Sequence, residues 1–530
     1  MSNNTTSRRV FLIVALALFL RTFNFSFPAF TTDEARIASR GYELYTKGVD
    51  ELGRKLPFLF NSLNDYQLPV TSYISALGGI FGKSELGART PFILIGLILM
   101  LLTYKVATLL SREKSFHILS AFIVATSPVL IFVSKIPNES IVAAVLFLFL
   151  FYLLNRDKLN ISYILLTIIL LILTSKSSWF ILTPFIIYTV FIYSNNLSMK
   201  VKLKVSLISF ILTILAFAFF LQVPQGTRSL SENNLSLFSN LATKNGIDWI
   251  RGQGLESGWP PILERILISK AHFFLIGILH WLSNIQPAVL FGQFSKDGNL
   301  GFFGLGAFPK VTIIPALMGL IFLIKERKSK LLAYPVIITL PAALIYPQFS
   351  PQVVILTLPF IAYVIAFGLF QAQKMLRSLI IFFMILELLI NFFFLSSQIN
   401  ITSESRPYWI KPIMQDVSKT LDADQVFISD NIAQDPASFI EWLTPLQPQM
   451  SSLNLSYPYK FRQTNFGKIK FLGLSDNLRA CKLGEKNALF VTKRDLERMR
   501  KISANNVVRT YLDNRGLVVV YLMKEEVCIN

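Results

Sequence analysis

Eleven apolar stretches separated by short polar connections leave this chain one kind of environment to fold in. They run over Val10 to Phe25, Ala88 to Leu110, Phe116 to Val133, Ser140 to Leu154, Ile161 to Thr174, Trp179 to Tyr193, Val205 to Val223, Gly304 to Ile324, Leu331 to Tyr346, Val353 to Phe370 and Leu379 to Leu395. A helix needs roughly 17 to 25 apolar residues to cross the hydrocarbon core of a bilayer. In lipid it must also satisfy its own backbone hydrogen bonds. Hydrophobic residues make up 53% of the 530 positions and charged residues only 15%, a balance that a soluble surface does not tolerate. The expected fold class is an α-helical polytopic membrane protein of about eleven transmembrane helices, followed by a small C-terminal α/β unit.

The cations give the spans their sidedness. Alternate connections carry Arg8 and Arg9, then Arg112 and Lys114, Arg156 and Lys158, Lys200, Lys202 and Lys204, Lys325, Arg327, Lys328 and Lys330, and finally Lys374 and Arg377. Such clusters mark cytoplasmic loops, which puts the N-terminus in the cytoplasm. Two long segments, 26–87 and 224–303, then face outward, as does everything after about Ser397. Val10 to Phe25 has no small-residue cleavage site and reads as a signal anchor. The formal charge of +20 is spent on these loops and forms no stripe for nucleic acid. Three His and two Cys are too few for the usual zinc or iron–sulfur ligand sets, and no Gly-rich phosphate loop is present.

Two apolar segments are expected to lie in the outer interface or against the bundle. Residues 266–291 contain Lys270, His272, His280 and Pro287, and one crossing there would invert the loop holding Lys325 to Lys330. Tyr73 to Phe81, after the Leu68-Pro69 break, has the same character. Residues 1–400 thus form the membrane domain, and 401–530 read differently. There, strand-length apolar runs (Gln425 to Ser429, Ile469 to Leu472, Ala488 to Thr492, Val507 to Tyr511, Leu517 to Leu522) alternate with helical stretches at Lys411 to Leu421, Pro436 to Leu443 and Arg494 to Lys501. Cys481 and Cys528 lie in this exterior part, as a disulfide or as two thiols.

Chemistry is expected on the outer loops. Thr31-Thr32-Asp33-Glu34 follows the first span and satisfies a capping box, which gives Glu34 a structural role to set against a catalytic one. Asp33 sits in the first helical turn with Arg36 three residues on, so the helix dipole and a cation both favour its ionised form. An ionised carboxylate beside the bilayer can orient an acceptor hydroxyl and take its proton. Neighbouring helical residues diverge by about 100°, so Asp33 and Glu34 cannot serve one atom together. Arg36, Arg40, Lys83, Arg89, Lys135, Lys176 and Arg228 lie in outward segments or at outer span ends. Each alone reads as interfacial snorkelling; together they suit an anionic headgroup. Arg36, Arg89, Lys135 and Arg228 are the donor-phosphate candidates, and Glu139, at the start of a span, is a second acidic residue for an acceptor or a metal. A divalent ion held by Asp33 and Glu139 stays open as a cofactor.

These residues also carry a resemblance. Asp33-Glu34-Ala35, Leu68 to Tyr73, Phe81-Gly82, Gly87-Ala88-Arg89, Ser127-Pro128, Val133-Ser134-Lys135 and Glu139, in that order and sidedness, resemble the integral-membrane GT-C glycosyltransferases. More narrowly, they resemble the superfamily of protein O-mannosyltransferases and lipid A aminoarabinose transferases. Leu282 to Pro287, Leu290-Phe291 and Gly304-Leu305-Gly306 are similar to bacterial members, and the likeness covers roughly residues 10 to 400. It implies transfer of a sugar from a polyprenyl-phosphate donor to a protein, lipid or glycan acceptor at the outer face of the cell membrane, with inversion. Asp33 then matches the catalytic carboxylate, and Arg89 the arginine that opens the second span. Departures lie at Gln67-Leu68-Pro69, where many relatives have His-Pro-Pro or Glu-Lys-Pro, at Ser134-Lys135 in place of Ser-Arg, and at Gln348 to Gln352, where His and Arg are usual. The chemistry itself asks for little: a phosphate leaving group departs as an anion and needs no acid, so one base and several cations suffice. The competing expectation is a polyprenyl-lipid or glycolipid flippase, which would place ionisable groups near the bilayer midplane and show repeated halves. A scaffold displaying the C-terminal unit is a third.

Overall fold

The computed structural model describes residues 2–25, 28–50, 53–62, 65–156, 160–194, 197–223, 241–258, 272–294, 300–301, 304–340, 350–397, 406–407, 409–420, 425–433, 436–444, 467–472, 487–493, 507–512 and 518–524, with single positions 260, 262 and 423. Arg228, both cysteines, Gln348, Phe349 and the expected helix Arg494 to Lys501 lie outside them.

The membrane part is a succession of helices: α1 (Ser2–Thr22), α2 (Thr32–Lys47), α3 (Pro69–Ala76), α4 (Glu85–Leu110), α5 (Lys114–Thr126), α6 (Pro128–Val133), α7 (Glu139–Leu154), α8 (Ile161–Ile172), α9 (Lys176–Ile187), α10 (Met199–Gln222), α11 (Leu241–Glu256), α12 (His272–Ile285), α13 (Ile313–Lys325), α14 (Ala333–Thr339), α15 (Pro351–Gln371) and α16 (Lys374–Ser397). Among the described residues, six helical segments are long and apolar enough to cross a membrane: Glu85–Leu110, Lys176–Tyr193, Met199–Gln222, Phe274–Gly292, Pro351–Gln371 and Lys374–Phe392. Every one of the eleven expected stretches contains helix, but several are shorter than a full span.

Two differences have local causes. The stretch expected as one span over Phe116 to Val133 is two helices, because Ser127 turns extended (φ −64°, ψ 118°) ahead of Pro128 and caps α6 through its hydroxyl. Within 266–291, expected at the interface, α12 and the π-helical turn Ala288–Gly292, with a break at Gln286, make Phe274–Gly292 a segment long and apolar enough to cross a membrane. It is anchored on its polar side: Asn284 Nδ2 donates to the His280 carbonyl, and Asn284 Oδ1 accepts from the Ser350 amide at 2.8 Å.

α15 is the axis of the bundle, buried along almost its whole length. α10 and α16 lie at the opposite extreme, with apolar side chains such as Leu207, Phe210, Leu215, Phe382 and Leu389 turned outward, the pattern of lipid-facing helices. α3 and the 3-10 turn after it (Leu77–Phe81) expose Leu77, Ile80 and Phe81, a surface suited to the interface.

The C-terminal part holds α17 (Ile410–Lys419), α18 (Pro436–Leu443) and a five-stranded sheet, after a short hairpin earlier in the chain of β1 (Phe60–Ser62) and β2 (Asp65–Gln67). Its strands are β3 (Gln425–Ser429), β4 (Ile469–Leu472), β5 (Asn487–Thr492), β6 (Val507–Leu512) and β7 (Val518–Lys524), within two residues of the five expected runs. The spatial order is β4-β3-β5-β7-β6, with β3 parallel to β4 and β5, and β7 antiparallel to β5 and β6. Central β3 is apolar at successive positions because both its faces are covered. One face packs Val426, Ile428, Ala488 and Phe490 on Ile413, Met414 and Phe439, and that core continues into Phe30, Ala35, Ala38 and Ala88 of the membrane part.

Candidate functional site

α2 brings the acidic pair into place. Thr31 caps it: its hydroxyl accepts from the Glu34 amide at 3.3 Å, and Glu34 Oε2 accepts from the Thr31 amide at 3.1 Å, a complete capping box. Gly48, in the left-handed region at φ 68°, ends the helix. Between these stops the two carboxylates part company. The Asp33 side chain is 77% exposed and accepts from Arg36 Nη1 at 3.1 Å, while Arg36 itself is buried. Glu34 is buried and held by Arg406, with Nη2 to Oε1 at 2.5 Å and Nη1 to Oε2 at 2.9 Å. The catalytic expectation for Glu34 therefore meets a carboxylate whose two oxygens are engaged in capping and in a buried ion pair. Asp33 keeps an open face.

Behind α2 lies a group of buried cations. Arg89, in the second turn of α4, donates to the Pro28 carbonyl and stacks its guanidinium 4.6 Å from the Phe30 ring centroid. Lys135, in the connection between α6 and α7, donates to the Phe23 carbonyl at 2.5 Å. Burial, then Arg89, then Arg21, lower its ammonium to about 7. Arg21, the last basic residue of α1, is fully buried and donates through Nη1 to the carbonyls of Ala17 and Ala125. Its Nε and Nη2 have no hydrogen-bond partner among the described residues. Gly96 makes room for it: a Cβ there would stand 2.5 Å from Ser134 Cβ and 3.0 Å from Arg21 Nε.

The remaining candidates are dispersed. Arg40 is buried, donating to Gln67 Oε1 at 2.7 Å beneath the Phe60 ring. Lys176 lies 4.9 Å from the Phe220 ring centroid. Lys83 donates to the Thr444 carbonyl, and burial lowers its ammonium. Glu139 is half-buried at the start of α7 and accepts from Ser175 Oγ at 3.2 Å. Among the described residues no group of three His, Cys, Asp or Glu side chains is placed to share a metal ion. Sequence reasoning singled out Arg89 and Lys135 but passed over Arg21 and Arg406. A lone arginine inside an apolar run carries a readable signal, since it calls for snorkelling, an internal partner or a ligand; Arg406, 372 residues from Glu34, carries none.

No protein-family model matches the chain, and no curated protein does. Solved structures similar to it include two of one protein. One is ArnT from Cupriavidus metallidurans in the apo state, at 11% identity over 98% of both chains with a TM-score of 0.44. The other is ArnT from the same organism bound to undecaprenyl phosphate, at 12% identity over 97% of both chains with a TM-score of 0.44.

Proposed function

We propose that the chain is a multi-pass membrane glycosyltransferase that moves a sugar from a polyprenyl-phosphate donor to an acceptor at the outer membrane face. The observation that carries this reading is the division of labour around α2: one carboxylate, Asp33, is left open, and its neighbour Glu34 is locked among buried cations. A single base beside several positive charges is what displacement of a phosphate-linked sugar asks for.

In the proposed step the acceptor hydroxyl oxygen attacks the anomeric carbon while the bond from that carbon to the phosphate oxygen breaks. The lipid phosphate leaves with the bonding electron pair, the hydroxyl proton passes to Asp33, and one displacement inverts the anomeric centre. Arg36 Nη1 donates to Asp33 Oδ1 and fixes the direction of its carboxylate. Lys135 and Arg89, with Arg21 joining them, supply positive charge for the developing phosphate anion; buried cations act there more strongly than in water. The resemblance of the Asp33-Glu34-Ala35 and Gly87-Ala88-Arg89 motifs points the same way.

The test is Asp33→Asn in full-length protein, incubated with polyprenyl-phosphate sugars and a membrane extract as acceptor. Sugar transfer is expected to fall by at least about 1,000-fold, with donor binding, followed by native mass spectrometry, within a few-fold of the parent. Retained turnover would remove Asp33 as base. Donor binding without turnover in the parent protein, accompanied by movement of the lipid across vesicles, would turn the reading to a flippase.

A further inference from the structure

We propose that Arg406 is a positioning residue that sets the Asp33 helix against the Lys135 connection. Its catalytic consequence rests on the transferase reading; its structural consequence does not.

Arg406 is 2% exposed and lies just beyond the last membrane helix. Its guanidinium forks onto both oxygens of Glu34, Nη1 also donates to the Ala29 carbonyl at 2.6 Å, and the plane lies 5.0 Å from the Phe132 ring centroid. One side chain thus joins three segments. Ala29 belongs to the strand of chain that enters α2, Glu34 to the first turn of α2 next to Asp33, and Phe132 to α6, three residues before Lys135. A bidentate fork defines an angle as well as a distance, which a lysine or an apolar contact does not.

Buried ion pairs are poor sources of stability, because desolvation offsets most of the attraction and a matched apolar pair is often as stable. Their best-attested use is registry, and here the elements held in register are those bearing the proposed base and a proposed phosphate ligand. Misplacement of a reacting group by about 1 Å can cost about 100-fold in rate.

That contrast defines the experiment. The double variant Glu34→Met with Arg406→Met replaces the pair by unbranched apolar side chains in the full-length protein. Thermal stability is expected to fall only modestly, through the lost Glu34 half of the capping box. Turnover with a polyprenyl-phosphate sugar is expected to fall about 10- to 100-fold with KM for the donor within about twofold, and backbone amides of residues 32–40 should exchange faster. Arg406→Lys, which keeps the charge and loses the fork, should fall between the parent and the double variant in both readouts, and it carries the test alone if the double variant does not accumulate. Unchanged turnover with unchanged exchange over 32–40 would overturn the proposal. If the parent protein transfers no sugar, the transferase reading fails by itself and the exchange measurement still decides the role of Arg406.

Discussion

Asp33 and Glu34 are neighbours with opposite surroundings, and the angle between successive helical residues is enough to produce that. Once Thr31 starts the helix, one carboxylate must turn toward the packed interior, and Arg406 is there to meet it. This much of the site is legible in the sequence: the capping box and the Arg36 contact follow from spacings of three residues, and the divergence of the pair from their adjacency. Arg21 and Arg406 are not, because what makes them important is the carbonyls and carboxylate they reach across long stretches of chain. Lys135 offers a prediction at this scale. Its ammonium, lowered to about 7 by burial and then by Arg89 and Arg21, would regain its ordinary basicity beside a phosphate. Above pH 7, binding an anionic donor then takes up a proton, so affinity falls as pH rises, by up to about tenfold per unit. A polyprenyl phosphodiester sugar does not titrate in this range, which leaves the protein to account for any slope. Titrations between pH 6.5 and 9 should show that slope in the parent and a flat profile in both Lys135→Arg and Lys135→Met, with weaker binding in the second. A slope that survives in Lys135→Met would assign the proton to another group.

At the scale of elements, the strands of the C-terminal sheet are readable because short apolar runs bounded by polar residues admit few other structures, and all five expected runs pair in one sheet. Helix existence is equally readable; helix packing is not. α13 and α15 approach so closely at Gly319 and Gly368 that a Cβ on Gly368 would stand 1.8 Å from the Pro315 carbonyl oxygen, and one on Gly319 1.9 Å from that of Val364. Small residues at such crossings let backbones meet where lipid supplies no hydrophobic drive. Gly368→Ala is therefore expected to cost about 1–3 kcal/mol or more through overpacking. Gly252, on α11, has nothing among the described residues within 4 Å of where a Cβ would stand, and Gly252→Ala should gain about 0.5–1 kcal/mol. Thermal unfolding in one detergent checks both signs together: a lower melting temperature for the first and a slightly higher one for the second. Equal shifts would mean that helix propensity, and not the crossing, governs position 368.

Across the whole molecule, the composition change near residue 400 suggests two separable parts, yet the contacts run through that boundary. Phe30, Ala35 and Ala38 share a core with Trp409, Ile413 and Phe439, and Trp442 meets Phe30 edge-on at 6.1 Å. Polar ties surround this core: Ser39 Oγ donates to Glu441 Oε1 at 2.7 Å, Lys83 to the Thr444 carbonyl at 3.0 Å, and Lys411 pairs with Glu85 at 2.9 Å. A sequence cannot show this, since patterning along a strand or helix says which face is apolar and not which distant element covers it. The physical consequence is that the C-terminal part stays attached without its covalent link. A protease site placed between residues 398 and 405, cut in right-side-out membranes or in detergent, should leave the fragment from 406 onward with the membrane part through size-exclusion chromatography at moderate salt. Raising salt alone should not free it, because screening weakens the exposed Lys411–Glu85 pair far more than the buried apolar contacts. Trp442→Ala, which removes the ring packed on Phe30, is expected to weaken that attachment by about 3–5 kcal/mol. A fragment that separates on cleavage with Trp442 intact would show that the shared core does not hold the two parts together, and the positioning of α2 would then have to come from the membrane helices alone.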